Sequence, residues 1–508
     1  MVKSVVKAYD KFWDKKFMLF LERFFNGPLF MFLVASFIFV VQALGIDMIG
    51  YIVIVALLCM MCLFFRNMNA SAVLYCMVAF CVSNKLSPQP GASTVVSNYY
   101  LSSEFLTPAI ILLSIFFVCL IYRLIAFGDF KKMFTSYAFY GVLVLAVSYL
   151  FAGIFSPKDS PASRLMNFVQ FIFPVFIAVL VITTFDFTKF NANVIANLCL
   201  TILLYVDVLV VYLHIMNSLE VGQFSLAIKR ELISGWGMSN HFGILIATTL
   251  PMCFYKMRKF NDEFYLWYTF AIVSAVIEVF TFCRSGNVGV LIVFVFGIIS
   301  AFTSKKTWKK MLIALLVTIG IGFAIILATF YSGMFETVFK YYIDAGNRQG
   351  LDSISSGRLT IWKRFVQYFT EYPIFGQGFL VDVRANTAVV FDYLAHNTFF
   401  QILGSCGIVG VVAYLFHLVT LCITYFKGMS WDKTFVGVVV FIFAFTGMLD
   451  IMFFNPITVM FYVTLICASA HFYEADLENE YKKSIEKEML ELDREIKIKN
   501  NERREIFW

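Results

Sequence analysis

The sequence predicts an all-α polytopic membrane protein, and three observations carry that prediction. First, 60% of its 508 residues are hydrophobic, only 14% are charged and the mean hydropathy is +0.81, whereas a soluble domain is about one quarter charged. Second, apolar runs of roughly 17–25 residues recur along the chain, each long enough to cross a bilayer of about 30 Å, which gives about 12–14 transmembrane helices. Third, Lys and Arg gather in alternate short loops, as the positive-inside rule requires of a multi-pass protein.

Residues 1–26 alternate Lys with Val5, Tyr9, Phe12, Trp13 and Phe20 at helical spacing, the pattern of an amphipathic helix lying on the inner leaflet. No short apolar core with a small-residue cleavage site opens the chain, so the first span is expected to act as the insertion signal. Expected spans are 28–46, 48–65, 70–84, 107–126, 136–155, 167–185, 193–216, 241–256, 265–282, 287–303 and 311–331, then 398–426, 435–453 and 457–473. The third and eighth are short. The resulting organisation is an interfacial helix (1–26), a first membrane section (27–332), an outer loop (333–397), a second membrane section (398–473) and a charged tail (474–508). In the tail, Leu477, Tyr481, Ile485, Met489, Leu492 and Ile496 recur every three or four residues, which fits a solvated helix or a dimerisation seam.

With the N-terminus inside, the inner loops carry Lys131 and Lys132, Lys256, Arg258 and Lys259, Lys305, Lys306, Lys309 and Lys310, and Lys427 and Lys433. Both termini are then cytoplasmic, and the net charge of +7 is a topology signal that needs no nucleic-acid partner. The loop 333–397 faces outward, as do Arg164, Arg230 and Arg284. The eleven cysteines fall mostly in apolar runs. Cys59 and Cys62 match a CxxC spacing but sit mid-span without a second pair, so core packing explains them and no metal site is implied.

The outer loop is where chemistry is expected, because long polar connections between spans are uncommon unless they are functional. It contains Ser356-Gly357-Arg358, then Trp362, then Pro373-Ile374-Phe375-Gly376-Gln377-Gly378, and it closes with His396-Asn397 at the next span. A guanidinium presents a planar fork that matches phosphate oxygens in pairs. Arg284, in Cys283-Arg284-Ser285-Gly286-Asn287, sits at an outer span end, where an arginine costs about 2.5–3.5 kcal/mol at mid-depth and less at the edge. Its alternatives are snorkelling, pairing with Glu278, or an anionic ligand. Imidazole titrates near neutrality, which suits His396 to general base work; His214 and His241 also lie toward the outer face, with helix capping as the plainer role. Gly404, Gly407 and Gly410 form a small-residue stripe better explained by close packing than by a phosphate loop. Asp207, Glu278 and Asp450 lie in or near spans, and such acids keep a proton-coupled transporter in view. There is no paired-aspartate nucleotide-sugar signature, P-loop or serine elbow.

In this order and spacing the motifs resemble those of the O-antigen ligase/polymerase family of bacterial envelope enzymes: Arg284-Ser285-Gly286, Ser356-Gly357-Arg358 with Trp362, Pro373-Ile374-x-Gly376-x-Gly378, His396-Asn397 and Gly407-Ile408-x-Gly410. The resemblance covers roughly 225–425 of the chain. It implies a GT-C-type glycosyltransferase fold with a large extracytoplasmic loop in the bacterial inner membrane. It further implies an undecaprenyl-diphosphate-linked oligosaccharide donor and a glycan or glycolipid acceptor, with neither metal nor cofactor. Carried over by position, Arg284 and Arg358 bind the donor pyrophosphate and His396 is the base, with Arg230, His241, Glu278 and Asn397 in support. Cys283 departs from the pattern, where a small hydroxyl residue is commoner. The resemblance does not choose between ligase and polymerase, and a small-anion transporter of the same superfamily is the alternative.

Overall fold

The computed structural model describes residues 16–65, 68–81, 103–155, 161–187, 192–222, 226–227, 229, 231–234, 236–332, 340, 358–378, 395–427, 429–450 and 456–469. The chain is an all-α polytopic membrane protein. Among the described residues, nine helices are long and apolar enough to cross a membrane. The other expected spans form shorter helices or helix pairs.

The first section runs through α1 (Lys16–Phe25), α2 (Pro28–Leu44), α3 (Asp47–Phe64), α4 (Ser71–Met77), α5 (Ser103–Phe127), α6 (Lys131–Thr135), α7 (Tyr137–Ile154), α8 (Pro161–Thr184) and α9 (Ala192–Val221). Local chemistry marks several of these boundaries. Pro28 opens α2 and Gly45, left-handed at φ 63°, closes it; Ser136 caps α7 by accepting from Phe139 N. The short third run is α4 with a 3-10 turn over Val78–Cys81, buried along α4's whole length. The expected helix at 1–26 is described only as α1, with Met18 and Phe25 buried and Phe17 and Phe20 exposed. The rest of it, and the charged tail, lie outside the described residues.

A two-residue hairpin then pairs β1 (Ile233–Ser234) with β2 (Gly237–Met238), in register Ile233↔Met238 and Ser234↔Gly237. Trp236 at its tip is buried against Phe80 and Phe242, and its indole donates to Tyr205 Oη at 3.1 Å. That plug fixes the start of α10 (Ser239–Thr249), which passes through Leu250 into α11 (Pro251–Lys259). This broken pair is the expected eighth span. It is followed by α12 (Phe264–Phe280), α13 (Arg284–Phe302) and α14 (Trp308–Tyr331), the last almost wholly exposed and apolar, as a peripheral span is.

Within 333–397, α15 (Arg358–Glu371) is amphipathic and lies against α16 (Thr398–Phe426); α17 (Trp431–Gly447) and α18 (Pro456–Ser469) complete the bundle. The motif glycines explain how the loop docks. Gly407 breaks α16 at φ 61°, ψ −155°, a conformation open essentially to glycine alone. The backbone freed there pairs with the segment after α15: Ile408 N donates to Pro373 O (2.9 Å), Val409 N to Ile374 O (3.2 Å), Gln377 N to Gly404 O (2.9 Å) and Gly378 N to Ser405 O (3.0 Å). Gly404 meets the buried ring of Phe365. The stripe is therefore a packing device, as expected, and the Pro373–Gly378 motif is its partner.

The basic loops share one end of the bundle. Lys259 pairs with Asp432 at 3.0 Å, Arg258 stacks 3.8 Å from the Trp431 ring centre, and Lys310 Nζ donates to Asn261 O at 2.7 Å. The cysteines among the described residues are free, and Cys62 is buried among core side chains, as the packing reading expects.

Candidate functional site

At the end opposite the basic loops, four chain segments converge: the start of α10, the turn between α12 and α13, the start of α15, and the entry to α16 against the turn after α17. His396 precedes α16 with its side chain about two-fifths exposed, and its Nδ1 lies 3.1 Å from Asp450 Oδ1. The other carboxylate oxygen of Asp450 accepts from Asn240 Nδ2 at 2.7 Å. An imidazole held at Nδ1 by a carboxylate has its tautomer and ring plane set, which leaves Nε2 for a substrate proton.

Asn397 ties this arrangement together. Its side chain caps α16 by accepting from Phe400 N (3.1 Å) and donates from Nδ2 to Met448 O (2.6 Å). Thr398 Oγ1 adds a bond to Gly447 O at 2.8 Å. The entry of α16 is thereby clamped to the end of α17, where Asp450 sits. Asn397 is thus a buried structural clamp beside the site.

Arg358 is the first residue of α15, and its guanidinium donates to Leu449 O at 2.6 Å, one residue from Asp450. One turn on, Trp362 Nε1 donates to Ala395 O (2.7 Å) and its ring stacks on Phe400, 4.9 Å between centres. Ala395 N in turn donates to Gln401 Oε1 at 2.7 Å. Trp362 therefore fixes α15 to the residues flanking His396, and Arg358 and His396 become neighbours of one turn.

Arg284 opens α13, partly exposed, directly after the capping residue Cys283. Cys283 Sγ donates to Asn240 O (3.6 Å) and accepts from Gly286 N (3.3 Å). Burial pushes the Cys283 thiol up to about 12, so it stays a neutral cap. The Arg284 turn is thus joined through Cys283 to Asn240, and through Asn240 to Asp450 and His396. Pairing of Arg284 with Glu278 is not what the structure shows. Glu278 is fully buried and its Oε2 accepts from Thr281 Oγ1 at 3.2 Å.

Among the described residues, two that are not glycine have positive φ: Phe282 (57°), just before Arg284, and His396 (47°). Each costs on the order of 1 kcal/mol or more, and such strain gathers at functional sites. Both site-forming turns carry it.

His241 lies in the first turn of α10, where Nδ1 accepts from Met238 N at 3.3 Å. That is the capping role, although the ring is also close enough to interact electrostatically with Asp450 and His396. His214 bonds Phe280 O and Ala227 N (both 3.1 Å) and braces α9 against α12. Arg230 lies outside the described residues. Among the described residues no three of His, Cys, Asp or Glu converge as a metal ion requires. Sequence reasoning placed Asp450 only among intramembrane acids, and it missed Asn240. An acid in an apolar span signalled the first; nothing local signalled the second.

Residues 269–415 match the family model described as O-antigen ligase. That stretch is therefore similar to the O-antigen ligase family, in agreement with the resemblance of its motifs. The matched stretch holds Glu278, Arg284, Arg358, His396 and Asn397, whereas Asn240, His241 and Asp450 fall outside it. No curated protein matches the chain.

Proposed function

We propose, from the O-antigen ligase character of residues 269–415, that the protein is a membrane glycosyltransferase which moves a glycan from an undecaprenyl-diphosphate donor to a sugar hydroxyl at the extracytoplasmic face. The observation that carries this reading is the His396–Asp450 pair (3.1 Å) with Arg358 anchored on the adjoining Leu449. A base and a phosphate-binding cation stand side by side, with Arg284 on the neighbouring turn.

In this mechanism Arg284 and Arg358 hold the pyrophosphate. His396 Nε2 takes the proton of the acceptor hydroxyl as its oxygen attacks the anomeric carbon. The bond from that carbon to the phosphate oxygen breaks, and lipid diphosphate leaves with the electron pair, inverting the centre. Asp450 steadies the imidazolium that forms, and Asn240 steadies Asp450. The leaving group is already activated, so charge neutralisation and orientation are the work required of the protein, without a metal. Clustering of the basic loops at the far end of the bundle supports an outward-facing site in the bacterial inner membrane, both termini inside, within a GT-C-type arrangement. The division into membrane sections, an outer catalytic loop at 333–397 and terminal helices belongs to the same proposal.

Incubation of the purified protein with native lipid-linked oligosaccharide tests it. Transfer is expected from the wild type, as a ladder of sizes for a polymerase or a single addition for a ligase, and none from a folded His396→Ala variant. Normal product from that variant overturns the mechanism. Asp207 Oδ1 and Glu278 Oε1 are buried without a hydrogen-bond partner, the disposition a proton-coupled carrier would use. Anion uptake by proteoliposomes that depends on Asp207, without glycan transfer, would replace this reading with the transporter.

A further inference from the structure

Among the described residues of the site's supporting layer, Glu278 is an acid to which that mechanism gives no task, and its surroundings are specific. It lies one turn below the Arg284 turn, near the end of α12, where α10 and α13 cross with their backbones nearly touching. A Cβ on Gly286 would fall 2.8 Å from the carbonyl carbon of Gly243 and would collide with Glu278 Oε1; a Cβ on Gly243 would fall 2.6 Å from that same oxygen. Ala247 and Gly289 continue the crossing one turn deeper, 2.9 Å from an added Cβ. Such small-residue crossings let helices approach closely, and here the space left by the missing side chains is filled by a carboxyl group.

That carboxyl also reaches the turn. Oε2 lies 3.2 Å from Thr281 Oγ1, which shares its hydrogen with the Glu278 carbonyl oxygen at 2.8 Å, and Thr281 Oγ1 accepts from Cys283 N (3.2 Å). Cys283 Sγ then contacts Asn240 O. Lys229 Nζ donates to Phe282 O at 3.1 Å, which holds the strained Phe282 in this same turn. A fully buried polar side chain with one oxygen unpartnered is expensive, and a cheaper residue would fill the same volume if volume were all that mattered.

We propose that Glu278 is a positioning residue: wedged where Gly243 crosses Gly286, it sets the Phe282–Arg284 turn against the Asn240–Asp450–His396 chain and so aims Arg284 at the donor diphosphate. This inference rests on the glycosyltransferase reading for the identity of the ligand. Glu278 touches no reacting atom; it acts through Thr281, Cys283 and Arg284.

The test measures binding of undecaprenyl diphosphate to the purified protein in nanodiscs, together with transfer kinetics. Glu278→Ala is expected to weaken lipid diphosphate binding and raise the donor KM by about tenfold or more, with kcat at saturating donor changed far less. Glu278→Gln, whose amide oxygen still accepts from Thr281, should restore both to near wild type. Thr281→Val, which keeps the packing and removes the link, should weaken binding in the same direction and serves if Glu278→Ala does not fold. Wild-type binding of the lipid diphosphate with equal binding by Glu278→Ala or, where that variant does not fold, by Thr281→Val overturns the positioning role. Failure of Glu278→Gln to rescue also overturns it. If the wild type itself binds no lipid diphosphate, the functional reading fails instead, and the two failures are told apart.

Discussion

At the residue scale, the proposed chemistry depends on one imidazole and what holds it. His396 has a positive φ and a carboxylate at Nδ1, so its orientation is fixed before any substrate arrives. Asp450→Asn keeps the shape but replaces the carboxylate with an amide that no longer imposes the tautomer. It is expected to lower kcat by at least about tenfold, and by less than the roughly 10²–10⁴ lost with the imidazole itself. Initial rates on lipid-linked oligosaccharide check this, and an unchanged kcat in Asp450→Asn would remove Asp450 from the mechanism. His396, Arg284 and Arg358 were legible in the sequence because polar groups at span ends are conspicuous against apolar neighbours. Asn240 was not, because an asparagine at a helix start reads as a cap, and its bond to Asp450 joins residues 210 positions apart.

At the element scale, the break in α16 at Gly407 decides where α15 and the segment after it dock. Four backbone hydrogen bonds join that break to the segment after α15, and through α15 they place Arg358. Gly407→Ala would put a Cβ 2.5 Å from Ile374 O at a φ of +61°, a conformation whose strain for other residues is about 1–3 kcal/mol. The expected outcome is a lower Tm in detergent together with reduced transfer. Gly437→Ala in α17, where an added Cβ meets Tyr425 at an ordinary 3.5 Å, offers a comparison in which the positive φ is absent. Equal stability of Gly407→Ala and the wild type would mean that the break is not needed for docking. The sequence showed glycines at helical spacing and correctly favoured packing, but it could not show that one of them interrupts the helix. Spacing reports which face a residue occupies, whereas a φ of +61° is imposed by the strand of chain packed beside it.

At the scale of the whole molecule, the arrangement separates two poles. Lys259, Arg258 and Lys310 lock loops together at one end, and the His396–Asp450 pair lies at the other. Membrane-impermeant maleimide labelling of intact cells tests the orientation, using exposed positions at opposite ends of α14. Ser332→Cys is expected to label from outside, and Lys305→Cys only after permeabilisation. The reverse pattern would turn His396 to the cytoplasm and remove the outward-facing donor from the reading.

By itself the sequence determined the fold class, the approximate bounds of most spans, and which loops are basic. These follow from burial of apolar side chains in lipid and from the cost of moving cations across it, and both are properties of short stretches of chain. It also exposed the two arginines and the histidine as candidates. Only the tertiary structure decided that His396 meets Asp450, 54 residues away, that Asn240 secures that carboxylate, and that Glu278 turns from Arg284 to the crossing of Gly243 and Gly286. Partner choice among buried polar groups depends on which helices pack side by side. Apolar spans resemble one another too closely for their pattern to encode that choice.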